Sequence, residues 1–172
     1  MTHYYWTTYK SACNYQLLEQ MNELQIRKAT PEDLTSLSEL FDGYRVYYGR
    51  PSDREAARQF LSARMAGEES VIMVAMHNQD LAGFVQFYPL FSSVRMQRLW
   101  LLNDLFVQER FRGRGISVAL IESGKTLCRE TLACGFMLET AKTNTIGNNL
   151  YRKAGLTLDT EHYVYQWETD RC

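Results

Sequence analysis

The chain has 172 residues, 45% of them apolar and 23% charged, with 19 Lys and Arg against 20 Asp and Glu and a formal net charge of -1. That composition fits one ordinary domain with a packed core and excludes a disordered chain. The charge balance gives no basic excess, which argues against a general nucleic-acid binder. Cys13, Cys128, Cys134 and Cys172 show no C-x-x-C spacing and no cysteine/histidine cluster of the kind zinc needs, so reduced thiols in a cytoplasmic protein are expected. No apolar run is long enough for a membrane span, and the N-terminus lacks a signal-peptide layout.

In chain order, residues 1–20 are rich in Tyr and Thr with weak periodicity, and read as an extension before a domain over 21–172. A helix over about 12–20 packed on the domain is an equal alternative. Leu24 to Ala29 alternates as a half-buried strand. Thr30-Pro31-Glu32-Asp33 opens a helix whose apolar face is Leu34, Leu37, Leu40 and Phe41. Ser52 with Glu55 reads as a capping box for a second helix, with Ala56, Phe60, Leu61 and Met65 as its buried stripe and Gly67 as its stop. Ser70 to Met76 and Leu81 to Tyr88 form a hairpin across the 77–80 turn. Pro89 to Val94 is expected to be a loop.

Gln97 to Val107 is a long apolar strand interrupted at Asn103-Asp104, as a bulge would do. A helix follows over about Ile116 to Cys134, with Ile116, Leu120, Leu127, Thr131 and Leu132 at helical spacing. Phe136 to Thr140 is a short strand, parallel to its predecessor through a right-handed crossover. Ile146 to Ala154 is the last helix, capped by Gly155. Leu156-Leu158 and Tyr163-Trp167 are expected to form a final antiparallel pair.

The richest stretch lies between strand and helix. Arg110 to Gly115 holds three arginines and two glycines. Unpaired amides at a helix start, with glycines that let backbone approach closely, suit a pyrophosphate. Arg112 and Arg114 could add charge-assisted hydrogen bonds. The glycine spacing is neither G-x-G-x-x-G nor a P-loop. On its own the loop reads equally well as a solvated turn.

A second segment, Asn144-Thr-Ile-Gly147-Asn-Asn-Leu150-Tyr151-Arg-Lys-Ala-Gly155-Leu156, lies one strand further on. Together with Arg112-Gly-Arg-Gly115-Ile-Ser117 it resembles the GNAT superfamily of acyl-CoA-dependent N-acyltransferases over about residues 24–167. Ser117 departs from the family's Gly or Ala, and Leu156 from its Phe. Segments 41–48, 87–94 and 102–107 are similar to a subgroup that includes yeast histone and polyamine acetyltransferases.

The resemblance implies an α/β fold: a mixed, mostly antiparallel sheet with a central splayed parallel pair, flanked by helices. It implies direct acetyl transfer from acetyl-CoA to a primary amine (polyamine, amino acid, small amine or protein lysine), with no metal. The pantetheine arm would pair with Leu105, Phe106 and Val107, and the pyrophosphate would lie on Arg112, Gly113, Arg114, Gly115, Ile116 and Ser117. Asn144 and Tyr151 would contact the cofactor, with Tyr151 as general acid. Asp104 is the first candidate base, with Glu109 behind it; a structural role for Asp104 fits equally well. Asp42, Tyr44, Tyr47 and Tyr88 are candidate acceptor-site residues, although Tyr44, Tyr47 and Tyr48 share one helical face, which is more often core or interface than an amine cage. Aromatic-rich edges and the resemblance together suggest a homodimer, while the charge balance and the short apolar runs speak against nucleic-acid and membrane partners. The alternative is a non-catalytic acyl-CoA-binding regulatory module on the same fold.

Overall fold

The computed structural model describes residues 24–169. The expectations for residues 1–20, Cys13 and Cys172 lie outside these. The described residues fall into two compact units, one ending at Glu139 and one starting at Thr140.

The first unit is built on a five-stranded sheet in the order β1 (Leu24–Lys28), β2 (Val71–His77), β3 (Asp80–Ser92), β4 (Gln97–Val107), β5 (Phe136–Met137). All neighbours pair antiparallel except β4 and β5, which are parallel. A 3-10 turn at Pro31–Asp33 leads into α1 (Leu34–Tyr47). Its start is fixed as the sequence suggests. Thr30 and Asp33 form a capping box, and Asp33 also takes two hydrogen bonds from Arg27, at 2.6 and 2.8 Å.

Helices α1 and α2 (Arg54–Ala66) cover one face of the sheet. Leu37, Leu40 and Phe41 of α1 and Ala57 and Leu61 of α2 pack against Ile72, Val74 and Phe84. Each fully buried aliphatic or aromatic side chain of this kind contributes roughly 1.5–3 kcal/mol. Helix α3 (Ile116–Glu130) lies on β3 where Gly124 meets the Phe87 ring so closely that a Cβ would fall 2.5 Å from it.

Several boundaries depart from the sequence reading. The cap of α2 is Asp53, whose Oδ1 accepts the Ala56 amide at 2.9 Å, because Ser52 is drawn away to the Asp42 carboxylate. The buried stripe of α2 is Ala57 and Leu61; Ala56 and Phe60 are exposed and Met65 is half-buried. β3 runs through the expected loop as far as Ser92, with Pro89 opposite Trp100. The β2 ladder ends at Val71↔Phe87, so β3 is an edge strand beyond that point, where proline is tolerated. Helix α3 stops at Glu130, since the Thr131 hydroxyl bonds back to the Leu127 carbonyl and Leu132 turns left-handed (φ 52°) into solvent.

The second unit contains α4 (Thr145–Lys153), with Ala154 at its C-cap and Gly155 left-handed after it. No strand pair forms over 156–169 among the described residues. Instead the Asp159 carboxylate collects the amides of Glu161 and His162 and closes a local turn. A lone two-stranded ribbon is marginal without further packing.

Candidate active site

The interruption in β4 is a bulge. Gln86 pairs with Asp104 and Phe87 with Leu102, so Asn103 is the extra residue. The bulge turns the Asp104 side chain onto the face covered by α1, where it is 5% exposed. Its carboxylate accepts hydrogen bonds from the Asn103 amide, at 3.1 Å, and from Tyr44. Burial outweighs both and pushes its pKa above the usual aspartate value.

Three tyrosines surround it. Tyr44 makes edge contacts with Phe84, Phe106 and Tyr48. Burial, with a smaller effect of the nearby Asp104 charge, pushes Tyr88 up to about 12 and raises Tyr48. Asp104, Tyr44, Tyr48 and Tyr88 therefore form one acidic, aromatic recess. An ammonium group is suited to it, by ion pairing to the carboxylate and by attraction to the ring faces. A proton acceptor within that recess is the group amine acylation requires.

Asp42 is not in the recess. Its carboxylate accepts Ser52 Oγ at 2.6 Å and the Asp53 amide at 2.7 Å, with Arg45 at 3.9 Å. The Ser52 bond above all holds its pKa below the usual value. It clasps the α1–α2 connection. Tyr47 is also elsewhere: it is exposed, and the Arg112 guanidinium lies 5.8 Å from its ring centre.

Beyond the bulge the sheet opens. The β4–β5 ladder contains only Trp100↔Phe136 and Leu101↔Met137, while β4 continues through Leu105, Phe106 and Val107. This is the splay expected of the parallel pair, with a β5 shorter than the expected 136–140. The chain then makes a 3-10 turn at Glu109–Phe111 and enters α3 through Gly113 and Gly115, both at φ 77°. Glu109 lies exposed on that turn. Nothing lies within 4 Å of a Cβ built on either glycine. The space at both glycines is open, and the first amides of α3, those of Ile116, Ser117 and Val118, have no intrahelical acceptor. Ser117 is half-buried at the second helical position.

The arginine side chains turn back onto the protein. Arg112 Nε donates to the Val107 carbonyl at 3.1 Å, and its guanidinium also lies 5.8 Å from the Phe106 ring centre. Arg114 sits 3.3 Å from His77 Nε2, and Arg110 pairs with Asp80 at 3.5 Å. The loop is thus a backbone cradle, and its open floor and oriented amides fit a pyrophosphate.

In the second unit, Asn144 caps α4. Its Oδ1 accepts the Gly147 amide at 3.0 Å, and its Nδ2 donates to Thr140 at 3.0 Å. A Cβ at Gly147 would collide with that Asn144 side chain, which explains an Asn followed three residues later by a small residue. Tyr151 is half-buried on the same helix.

Sequence reasoning passed over Gln86. Gln86 is fully buried in β3 opposite Asp104. Its signal was a lone amide in the apolar run from Leu81 to Tyr88. A cavity of about 790 Å³ lies against α3, lined by residues such as Lys28, Arg98 and Glu122; Asp104 and its tyrosines do not line it, so chemistry rather than volume points to the site. Among the described residues there is no cluster able to hold a metal and no helix long and apolar enough to cross a membrane.

The comparisons with known proteins bear on the family and the fold. Residues 35–156 match the model of the "Acetyltransferase (GNAT) family". The chain is 38% identical over 142 residues to an uncharacterized N-acetyltransferase, YhfO, of Bacillus subtilis (strain 168), covering 83% of this chain and 95% of that one. It is 33% identical over 120 residues to a protein of Haemophilus influenzae named "Probable acetyltransferase", covering 69% and 82%. A crystal structure titled as that of a probable acetyltransferase superposes with a TM-score of 0.81 at 36% identity, covering 85% of this chain and 98% of that one. The protein is a member of the GNAT family of acetyltransferases, enzymes that use acetyl-CoA.

Proposed function

We propose that the protein transfers an acetyl group from acetyl-CoA to a primary amine held at Asp104, directly and without an acyl-enzyme. The observation that carries this reading is Asp104 itself: a carboxylate on the β4 bulge, buried among tyrosines and made more basic by that burial. Acetyl-CoA supplies the electrophile, an acetyl thioester. A free alkyl amine has a pKa of about 10 and arrives protonated. The recess first binds the ammonium, and Asp104 then accepts its proton as nitrogen attacks. A backbone N–H of the bulged strand donates to the developing oxyanion. The C–S bond breaks as the leaving sulfur takes the proton of Tyr151, and the second N–H proton, lost to leave the neutral amide, returns to the Tyr151 oxygen.

Leu105, Phe106 and Val107 hold the pantetheine arm along the splayed edge. Backbone amides from Arg112 to Ser117 hold the pyrophosphate, with Arg112 and Arg114 acting mainly on the protein side. Asn144 adds a cofactor contact, and Tyr44 and Tyr88 shape the acceptor recess. Residues 21–172 form the acetyltransferase domain behind an extension at 1–20. It works in the cytoplasm as a homodimer, a reading supported by the exposed apolar tip of the β3–β4 hairpin at Phe91, Val94 and Met96.

A panel of polyamines, amino acids, small amines and basic peptides, followed by thiol release with saturating acetyl-CoA, tests the reaction. Turnover with at least one amine, and a fall of about 10²-fold or more in kcat for Tyr151→Phe, is expected. Tight CoA binding without turnover across the panel would leave only the binding-module reading. Sedimentation showing monomer alone at micromolar concentration would remove the dimer.

A further inference from the structure

Two polar side chains face each other across β3 and β4 with no donor assigned between them. Gln86 and Asp104 are direct ladder partners just before the bulge. Directly opposed residues share a face, with Cβ atoms about 4.5–5.5 Å apart. Gln86 is 0% exposed, and its Nε2 is spent on Ser70 Oγ at 2.7 Å. Its Oε1 is buried and has no hydrogen-bond partner among the described residues.

A buried orphan carbonyl needs an explanation, since nearly all such groups are satisfied. Here its cross-strand neighbour, when ionised, is also only an acceptor. Two acceptors opposed in a dry site repel each other, and a single proton placed between them satisfies both. We propose that Gln86 Oε1 receives the hydrogen bond of protonated Asp104, making Gln86 a positioning residue that holds the base in its proton-loaded state. This rests on the reading of Asp104 as the base. The amine N–H bond breaks, the Asp104 O–H bond forms, and the new proton points at Gln86 Oε1. It passes to solvent once the product amide has left.

The other groups facing Asp104 act in the opposite sense or are neutral. Tyr44 from α1 and Asn103 from β4 donate to the ionised carboxylate. Tyr48 from α1 and Tyr88 from β3 are uncharged phenols at neutral pH, and Asp104 raises both. Arg64 and Glu69 influence Tyr88 and are paired with each other, while Arg112 at Phe106 is tied to the Val107 carbonyl. Gln86 is thus the group placed to favour the protonated carboxyl.

The experiment is a ¹³C-carboxyl NMR titration of the full chain without substrate, with Asp104 assigned through Asp104→Asn. Wild-type Asp104 should titrate above the ordinary value of about 3.9. Gln86→Met removes the acceptor at similar volume and should lower the midpoint by about one pH unit. Gln86→Glu sets two carboxylates to share one proton and should raise it. The acid limb of kcat/KM should move in the same two directions. A midpoint that rises in Gln86→Met, as it would if Nε2 faced Asp104, overturns the proposal; so does one that stays in place in either variant. Should neither variant fold, isotope-edited infrared on the wild type decides: the Gln86 side-chain carbonyl band should shift down as Asp104 takes up its proton, and a band that does not move overturns the proposal. The titration does not require turnover. Opposed shifts without turnover would therefore sink the reading of Asp104 as the base, and turnover with unmoved midpoints would sink only the role of Gln86.

Discussion

Asp42 and Asp104 are buried alike, each 5% exposed, yet their carboxyls move in opposite directions. Asp42 has a hydroxyl, a backbone amide and a guanidinium around it, and all three favour the charged form. Asp104 has two neutral donors, an aromatic wall and an opposed carbonyl, and burial dominates. Depth and donors decide together: Asp42 is covered but lies near the surface with its charge satisfied, whereas Asp104 lies deep and short of donors. The acid so supplied is a clasp, and the acid left short of donors is available for proton transfer.

The sharpest way to break this contrast is Asp104→Asn. Loss of the proton acceptor should lower kcat by about 10²–10⁴-fold in the thiol-release assay. The same change should stabilise the fold at neutral pH. The folded pKa is raised, so the favourable state is the protonated one. Stability is full below the unfolded value of about 3.9 and is lost as pH rises through the folded value. The variant should thus melt above wild type at pH 7, and the two curves should converge toward pH 4. A lower Tm at pH 7 would place Asp104 with Asp42 as a structural acid.

The cradle offers the next largest effect. Gly113 combines a left-handed backbone with open space where a side chain would begin, just before α3. Gly113→Val forces a β-branched residue into that conformation and fills the space. We expect KM for acetyl-CoA to rise at least about tenfold with a smaller change in kcat, since binding rather than proton transfer is lost. An unchanged KM would mean that the pyrophosphate does not lie on this loop. Arg112→Lys is a milder probe. It should act through the lost Val107 bond and ring contacts, changing the two kinetic constants together.

Much of this was legible in the residues, and the gaps have physical causes. The Asn103-Asp104 interruption announced the bulge, because two polar residues inside an apolar strand need somewhere to go. The Asn144–Gly147 spacing encoded a cap whose side chain leaves no room for a Cβ. The Ser52 capping box does not form because Ser52 and Asp42 satisfy one another across ten residues, and a long-range bond leaves no periodicity. Gln86 was missed because it becomes meaningful only through its partner in β4, and register is not written in either strand alone.

Asp42→Ala should change turnover least, and it tests the other half of the contrast. Removing the carboxylate leaves Ser52 Oγ and the Asp53 amide without their acceptor, and Asp53 is the residue that caps α2. The expected destabilisation is about 1–3 kcal/mol, with kcat per folded molecule unchanged. Its pH dependence has the opposite sign to that of Asp104. Asp42 has a lowered folded pKa, so its contribution is present above about pH 3.9 and fades as pH falls through the lower folded value. The stability gap between wild type and Asp42→Ala should therefore narrow in acid. If kcat falls while Tm holds, Asp42 belongs to the acceptor site after all, and donors alone do not separate a clasp from a base.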